Sequence, residues 1–454
     1  MYINKFIKFL KKNKPLLFTT PGHSQGFYSA GEFKEVFGKK VFKGDFSEVK
    51  GMDNLQNPTG IIKKSLERTA EIYGCKASFY LVNGSSSGII ALILATVKTG
   101  EKILISRNTH KSIINALVLS RAFPVWVEPE WDENWNIPGA VNPEKIAQIL
   151  RKIPDIKAVM LTNPTYEGVI TDIKSIAELC GQKNIPLLVD EAHGALWNFS
   201  ERLPISSIHL GADACAQSLH KTGSCLNQGA LLHISENSKL IPENAQRVLN
   251  IINTTSPSYA LLSSIEASIE YLNSKKGREK LDELLDNIEE TKKMLFINAG
   301  IDFLEDNDPT KLFFKLKYVN GQALSDFLQD KFNIEVELNN DRALLALTGI
   351  GTDKTKLEKL AGAIAAADKK LEKNFKAPAS TPLISPQVAL SPSEAFYAES
   401  EAVELCKAVE RISAETIVTY PPGIPLVIAG ETIQPEHLKV ITEKKLKILK
   451  NFQT

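Results

Sequence analysis

Seven short apolar runs, separated by longer stretches with helical periodicity, constrain this chain more than any other feature. They are Phe79 to Val82, Ile103 to Ile105, Val125 to Val127, Ala158 to Leu161, Leu187 to Val189, Ala212 to Cys215 and Ala230 to His233. Several are unbroken instead of alternating, the pattern of strands covered on both faces by helices in a mostly parallel sheet. The expected fold class is therefore α/β, a layered sheet with helices on either side. Polar and chemically capable residues follow many of the runs directly, where the C-terminal edge of such a sheet presents its ligand site.

The flanking sequence extends this plan. Ile3, Phe6, Ile7 and Leu10 recur at i, i+3, i+4, i+7 and predict a short amphipathic helix, with lysines too frequent for a targeting segment. Residues 260–298 read as one long or two shorter helices. Strands predicted at Leu312 to Leu316, Ile334 to Leu338 and Leu344 to Leu347 suggest a small α+β unit. Pro378, Pro382, Pro386 and Pro392 then punctuate a helix-poor connection. A chain of 454 residues holds two or three domains. The expected division is an N-terminal arm 1–50, a large domain 51–300, a small domain 301–376, a connection 377–392 and a C-terminal domain 393–454.

Charge and cysteine usage narrow the partners. Lys and Arg number 54 against 53 Asp and Glu, a net charge of +1, which removes any global electrostatic case for nucleic acid or an anionic membrane. Cys75, Cys180, Cys215, Cys225 and Cys406 are scattered without C-x-x-C spacing, which points to a reducing compartment and no zinc site. The longest apolar run, Ile89 to Val97, is far shorter than the ~20 residues a membrane helix needs. A cytoplasmic protein is expected.

Four segments carry chemistry, each after a different predicted strand. In Asn83-Gly84-Ser85-Ser86-Ser87-Gly88, hydroxyls and a helix N-terminus form an anion site suited to one phosphate, or an ordinary serine-capped turn. The spacing fits neither a Walker loop nor a dinucleotide fingerprint. In Ser106 to Ser112, His110 offers a flat ring that either stacks on a planar ligand or is simply exposed. In Val189 to Gly194, Asp190 ends a buried run and needs a positive partner, such as a protonated pyridine nitrogen, or else caps a helix; His193 is either functional or a satisfied core histidine. In Ser218 to Thr222, Lys221 is either a Schiff-base nucleophile or a solvated loop charge.

Phosphate loop, histidine, acid with histidine, and lysine, in that order along one sheet, resemble the fold-type-I pyridoxal-phosphate enzymes. TPGH at 20–23, TNPTYEG at 162–168, DEAHGA at 190–195, SLHKT at 218–222, TTSPSY at 254–259 and SAETIVTYPPGIP at 413–425, followed by Gly430-Glu431, are more narrowly similar to the bacterial ornithine/lysine/arginine decarboxylase family. The resemblance covers nearly the whole chain. The phosphate loop reads GSSSGI where many relatives carry GTT or GTS followed by Asn, and Ser393 stands where an arginine is frequent.

The resemblance implies an aspartate-aminotransferase-like large domain with a mostly parallel seven-stranded sheet, a small α+β domain and a C-terminal decarboxylase domain. It also implies a short form without the N-terminal regulatory domain. The cofactor implied is pyridoxal 5'-phosphate and the reaction is α-decarboxylation of a basic amino acid, arginine to agmatine first, with lysine or ornithine as alternatives. Lys221 would hold the cofactor as a Schiff base, Asp190 would keep its ring nitrogen protonated, His110 would stack on the ring and His193 would sit near its phenolic oxygen. Ser85, Ser86, Ser218 and His220 would bind the phosphate, with Ser256 and Ser258 reaching it across a homodimer or larger homo-oligomer with shared sites. Glu48, Asp45 and Glu431 are the candidates for the acid that meets the substrate's distal cation. A transaminase, lyase or aldolase of the same fold, and a catalytically silent binding protein, are the rival readings.

Overall fold

The structure is a computed structural model that describes residues 1–26, 31–378, 386–419 and 424–450. Pro382 of the connection and the segment 420–423 of SAETIVTYPPGIP lie outside the described residues. All seven predicted runs form strands of one sheet: β1 Ala77–Leu81, β2 Lys102–Ser106, β3 Phe123–Val127, β4 Ile156–Thr162, β5 Leu187–Asp190, β6 Ala214–Gln217 and β7 Ala230–Ile234. The spatial order is β1-β7-β6-β5-β4-β2-β3. Only β7 runs against its neighbours β1 and β6; the other pairs are parallel.

The unbroken runs arise because both faces are buried. Tyr80, Leu104, Val159, Leu161, Leu187 and Val189 point into one apolar cluster. The alternate residues Leu81, Ile103, Ile105, Ala158, Met160 and Leu188 point into another. The helix Gly84–Thr96 is apolar nearly all round and lies on the second face. Gly88 lets it sit there, since a Cβ at this position would lie 2.6 Å from Leu81 Cδ1 and 3.3 Å from the Cβ of Ala216.

Strand β6 begins two residues later than the apolar run suggested. Ala212 is held in a turn by its N–H to Ser207 O, and the Asp213 carboxylate accepts from Leu187 N at 3.0 Å and Lys239 N at 2.7 Å. Asp213 thus ties the start of β6 to its neighbour instead of extending it.

The two helices expected over 260–298 are Tyr259–Asn273 and Lys275–Asn298. Beyond them lies a second, antiparallel sheet of β8 Ile301–Phe303, β9 Lys311–Leu316, β10 Leu338–Asn339 and β11 Leu344–Leu347, in the order β8-β9-β11-β10. The strand expected over 334–338 is mostly absent. Asn333 adopts φ 52° and ends the helix Gly321–Phe332, and Ile334 N–H bonds back to Leu328 O. Ile334 is spent on the helix C-cap, where an apolar residue just beyond the left-handed position is common.

The last described residues form two antiparallel strand pairs, Ser400–Glu404 with Lys445–Leu449 and Ile417–Thr419 with Ile424–Val427. This unit seats on the main sheet layer: Ile428 joins the second apolar cluster. Arg107, just beyond β2, donates to Glu431 at 2.9 Å and to Leu426 O at 3.1 Å. No helix among the described residues is long and apolar enough to cross a membrane.

Candidate active site

The ends of β1, β2, β4, β5 and β6 converge on one cleft of about 160 Å³. Ser85, Ser86, His110, Asp190, His193, Ser218, His220 and Lys221 all line it. Residues spread over 137 positions of sequence are therefore brought together, because each follows a strand of the same sheet edge.

The geometry begins at Lys221, in the one-turn helix Leu219–Thr222 after β6. Its Nζ lies 2.6 Å from His193 Nε2 and 5.3 Å from the ring centre of Tyr166. Burial lowers the Lys221 amine below its ordinary 10.5, only partly opposed by the charges of Asp190 and Glu337. Burial likewise pushes His193 well below the usual histidine range, helped by the nearby Lys221 and Lys311 charges. Both shifts favour a neutral amine bonded to a neutral imidazole, the pairing a nucleophilic lysine requires.

Asp190, the last residue of β5, is 4% exposed and accepts from Ala192 N at 3.1 Å. Burial raises its carboxyl to about 6 despite the Lys221 charge. A carboxylate kept dry in this way is short of a close cation. His110 caps the helix Lys111–Ser120, its Nδ1 3.2 Å from Ser112 N. Desolvation, and then Lys221, drive it to about 4. It is a neutral ring on the wall of the cleft.

At the opposite end, Ser85 Oγ and Ser218 Oγ are 2.7 Å apart. Asn83 places no side-chain bond on the first turn of Gly84–Thr96. The first-turn N–H groups and the hydroxyls of Ser85 and Ser86 therefore meet at the positive end of a helix dipole. Buried polar atoms without a partner also crowd the wall: Asn108 Oδ1, Thr109 Oγ1, Thr162 Oγ1 and His193 Nδ1. A planar, polar molecule with an anionic tail and a cationic ring nitrogen matches these groups one by one.

Five sequence candidates fall elsewhere. Asp45 pairs with His23 Nε2 at 3.0 Å, and Glu48 is exposed. Neither lines the cleft. Glu431, 2% exposed, is already bound by Arg107 and by Ile428 N at 2.7 Å, so it is committed to holding the C-terminal unit in place. Ser256 and Ser258 are exposed and outside this chain's cleft. Ser258 caps the helix Tyr259–Asn273 through Leu261 N at 3.3 Å.

Other residues of the site were not assigned from the sequence. Tyr166 packs its ring 4.4 Å from that of His193 and donates its hydroxyl to Glu337. Glu167 lines the cleft beside it. Both belong to TNPTYEG, so the signal was present in the motif. Lys311 gave no such signal. Its ammonium, fully buried, donates to His193 O at 3.0 Å, Asp308 Oδ2 at 3.0 Å and Thr310 Oγ1 at 2.9 Å. Asp308 in turn accepts from Trp197 Nε1 at 2.9 Å. Gly168, at φ 101°, packs so close that a Cβ there would meet Lys311 Cγ at 2.8 Å.

Comparison with known proteins places this fold in a family. Residues 2–316 match the family described as Orn/Lys/Arg decarboxylase, major domain, and residues 369–453 match Orn/Lys/Arg decarboxylase, C-terminal domain. The arginine decarboxylase of Halalkalibacterium halodurans is 36% identical and that of Bacillus subtilis 34%, each over 95% of this chain and 91% of the relative. Lysine decarboxylase A from Pseudomonas aeruginosa shares the fold with a TM-score of 0.86 at 18% identity, over 99% of this chain and 80% of that one. The chain belongs to the Orn/Lys/Arg decarboxylase family, whose members are pyridoxal-phosphate-dependent amino-acid decarboxylases of fold type I.

Proposed function

We propose that this chain decarboxylates arginine to agmatine with pyridoxal 5'-phosphate held in the cleft. The observation that carries the reading is the Lys221 amine, 2.6 Å from a neutral His193, in one cleft with the buried Asp190. When bound, pyridoxal phosphate supplies a carbonyl that condenses with amines and a protonated ring that withdraws electrons from Cα. Lys221 is the amine that would hold it. Asp190 would keep the proton on the ring nitrogen. His110 would stack on the ring, and Ser85, Ser86, Ser218 and His220 would hold the phosphate. His193 would take up and return the Lys221 proton. The Lys221 amine would also be the proton source for Cα. Pro138 and Ile424 on the cleft wall keep water from the substrate carboxylate, whose loss is favoured where it is poorly solvated.

Arginine is chosen over lysine and ornithine on the two relatives at 36% and 34% identity, both arginine decarboxylases. The expected result is a kcat/KM for arginine at least roughly tenfold above those for lysine and ornithine, a difference of about 1.4 kcal/mol. Mass spectrometry of the amine formed from each amino acid checks it. Cadaverine or putrescine as the preferred product would reassign the substrate, and no amine from any of the three would refute decarboxylation.

The same reading makes the active unit at least a homodimer with shared sites. Ser256 and Ser258, exposed and apart from their own cleft, are available to a second copy's phosphate. Mixing Lys221→Ala with a Ser256→Ala, Ser258→Asp variant tests this, since aspartate keeps the helix cap while repelling an anion. Mixed dimers are expected to regain about one working site in two if the sites are built in trans. Exchange of subunits without recovery of activity excludes it.

A further inference from the structure

A basic amino acid differs from others by one distal positive charge, and a dry cleft must neutralise it. Among the described residues, the carboxyl groups lining this cleft are Asp190 and Glu167. On the decarboxylase reading Asp190 is committed to the ring nitrogen. Glu167 is 2% exposed, and its Oε2 has no hydrogen-bond partner although its surroundings are buried. No cationic side chain of the described residues pairs with it. Its backbone is held in place: Asn307 Nδ2 donates to its carbonyl oxygen at 3.4 Å.

We propose that Glu167 is the specificity-determining acid that binds the distal cation of the substrate. The inference rests on the proposed function and deepens it by naming the recognising group. Lysine, ornithine and arginine all offer N–H donors to such a group, and the planar guanidinium offers two in parallel, matching the two carboxylate oxygens.

The charge state follows from the surroundings. Burial raises the Glu167 carboxyl above the usual range. The other titratable groups of the cleft wall are Tyr166, Lys221, His220, His193, His110 and Asp190, and Lys311, packed on Gly168, is already paired with Asp308. Without a bound cation, Glu167 retains its proton to a higher pH than a free glutamate. Arrival of the guanidinium stabilises the carboxylate and the proton leaves to solvent, so cation binding and proton release are linked.

The test uses the cofactor-loaded protein, its Glu167→Gln and Glu167→Asp variants, and Glu337→Gln at the Tyr166 hydroxyl. Arginine is compared with citrulline, which replaces the cation by a neutral urea of similar shape. Agmatine binding is followed by calorimetry in buffers of different ionisation enthalpy. Glu167→Gln is expected to lower the arginine-to-citrulline ratio of kcat/KM at least roughly 30-fold, and to weaken agmatine binding at least roughly tenfold. It is also expected to release fewer protons per agmatine than wild type. Glu167→Asp, which keeps the charge on a shorter stem, should retain a higher arginine-to-citrulline ratio than Glu167→Gln. A Glu167→Gln protein that binds cofactor yet keeps the ratio and the proton release overturns the proposal. So does loss of the ratio in Glu337→Gln alone. A wild-type protein that decarboxylates no basic amino acid defeats the underlying functional reading, a result separable from a variant that keeps its ratio.

Discussion

Lys221→Ala is expected to abolish decarboxylation, by roughly 10⁴-fold or more, and to leave the purified protein colourless. The size of the effect follows from what the amine does. On the proposed reading it would hold the cofactor, give way to the substrate and supply a proton to Cα, so one substitution would remove three functions. Burial lowers the amine below 10.5, and His193 Nε2 lies 2.6 Å away to carry its proton. Two measurements check the assignment: visible absorbance of the wild type that the variant lacks, and a borohydride-fixed adduct mapped by mass spectrometry to residue 221. A fixed adduct that persists in Lys221→Ala at another lysine refutes it.

Asp190→Asn should reduce turnover by roughly 10³-fold while cofactor still binds, a loss of about 4 kcal/mol in the barrier. The argument is one of sign. Burial pushes Asp190 up to about 6 even against the opposing charge of Lys221. A protonated ring nitrogen would reverse that shift, because the attraction between opposite charges in a poorly solvated site outweighs desolvation when they are hydrogen-bonded. Asparagine keeps the shape and the strand end but carries no charge, so the ring nitrogen loses its proton and the electron withdrawal that depends on it. The phosphate contacts proposed for Ser85, Ser86 and Ser218 would be untouched, so the variant is expected to stay loaded. The decisive comparison is kcat at equal cofactor occupancy, and near-normal turnover there would remove Asp190 from the ring nitrogen.

Much of this architecture was legible because the signals are local. Unbroken runs such as Leu187 to Val189 need two covered faces, and only a sheet between helix layers provides them. Asp190, His193 and Lys221 follow such runs immediately, so their convergence on one sheet edge comes with the topology. The failures have a different physical origin. Ile334 to Val336 carry strand-like composition, yet the left-handed Asn333 draws Ile334 into closing a helix, a tertiary choice among locally acceptable ones. Glu431 read as a free acid because its partner, Arg107, lies 324 residues earlier. Lys311 was invisible for the same reason: a fully buried lysine looks like any solvated one until Asp308, Thr310 and the His193 carbonyl surround it.

That buried ammonium has a mechanical consequence. Lys311 stands at the start of β9, in the smaller sheet, yet one of its three bonds reaches the backbone of the loop that carries His193. Swinging the smaller sheet away would strip a charge of a neutral carbonyl in a dry place, and leaving a buried ion short of partners costs several kcal/mol. Asp308, bound to Trp197 across the same seam, would be stranded with it. The smaller sheet is therefore a fixed abutment, tied across the seam to the loop that carries His193 and to Trp197.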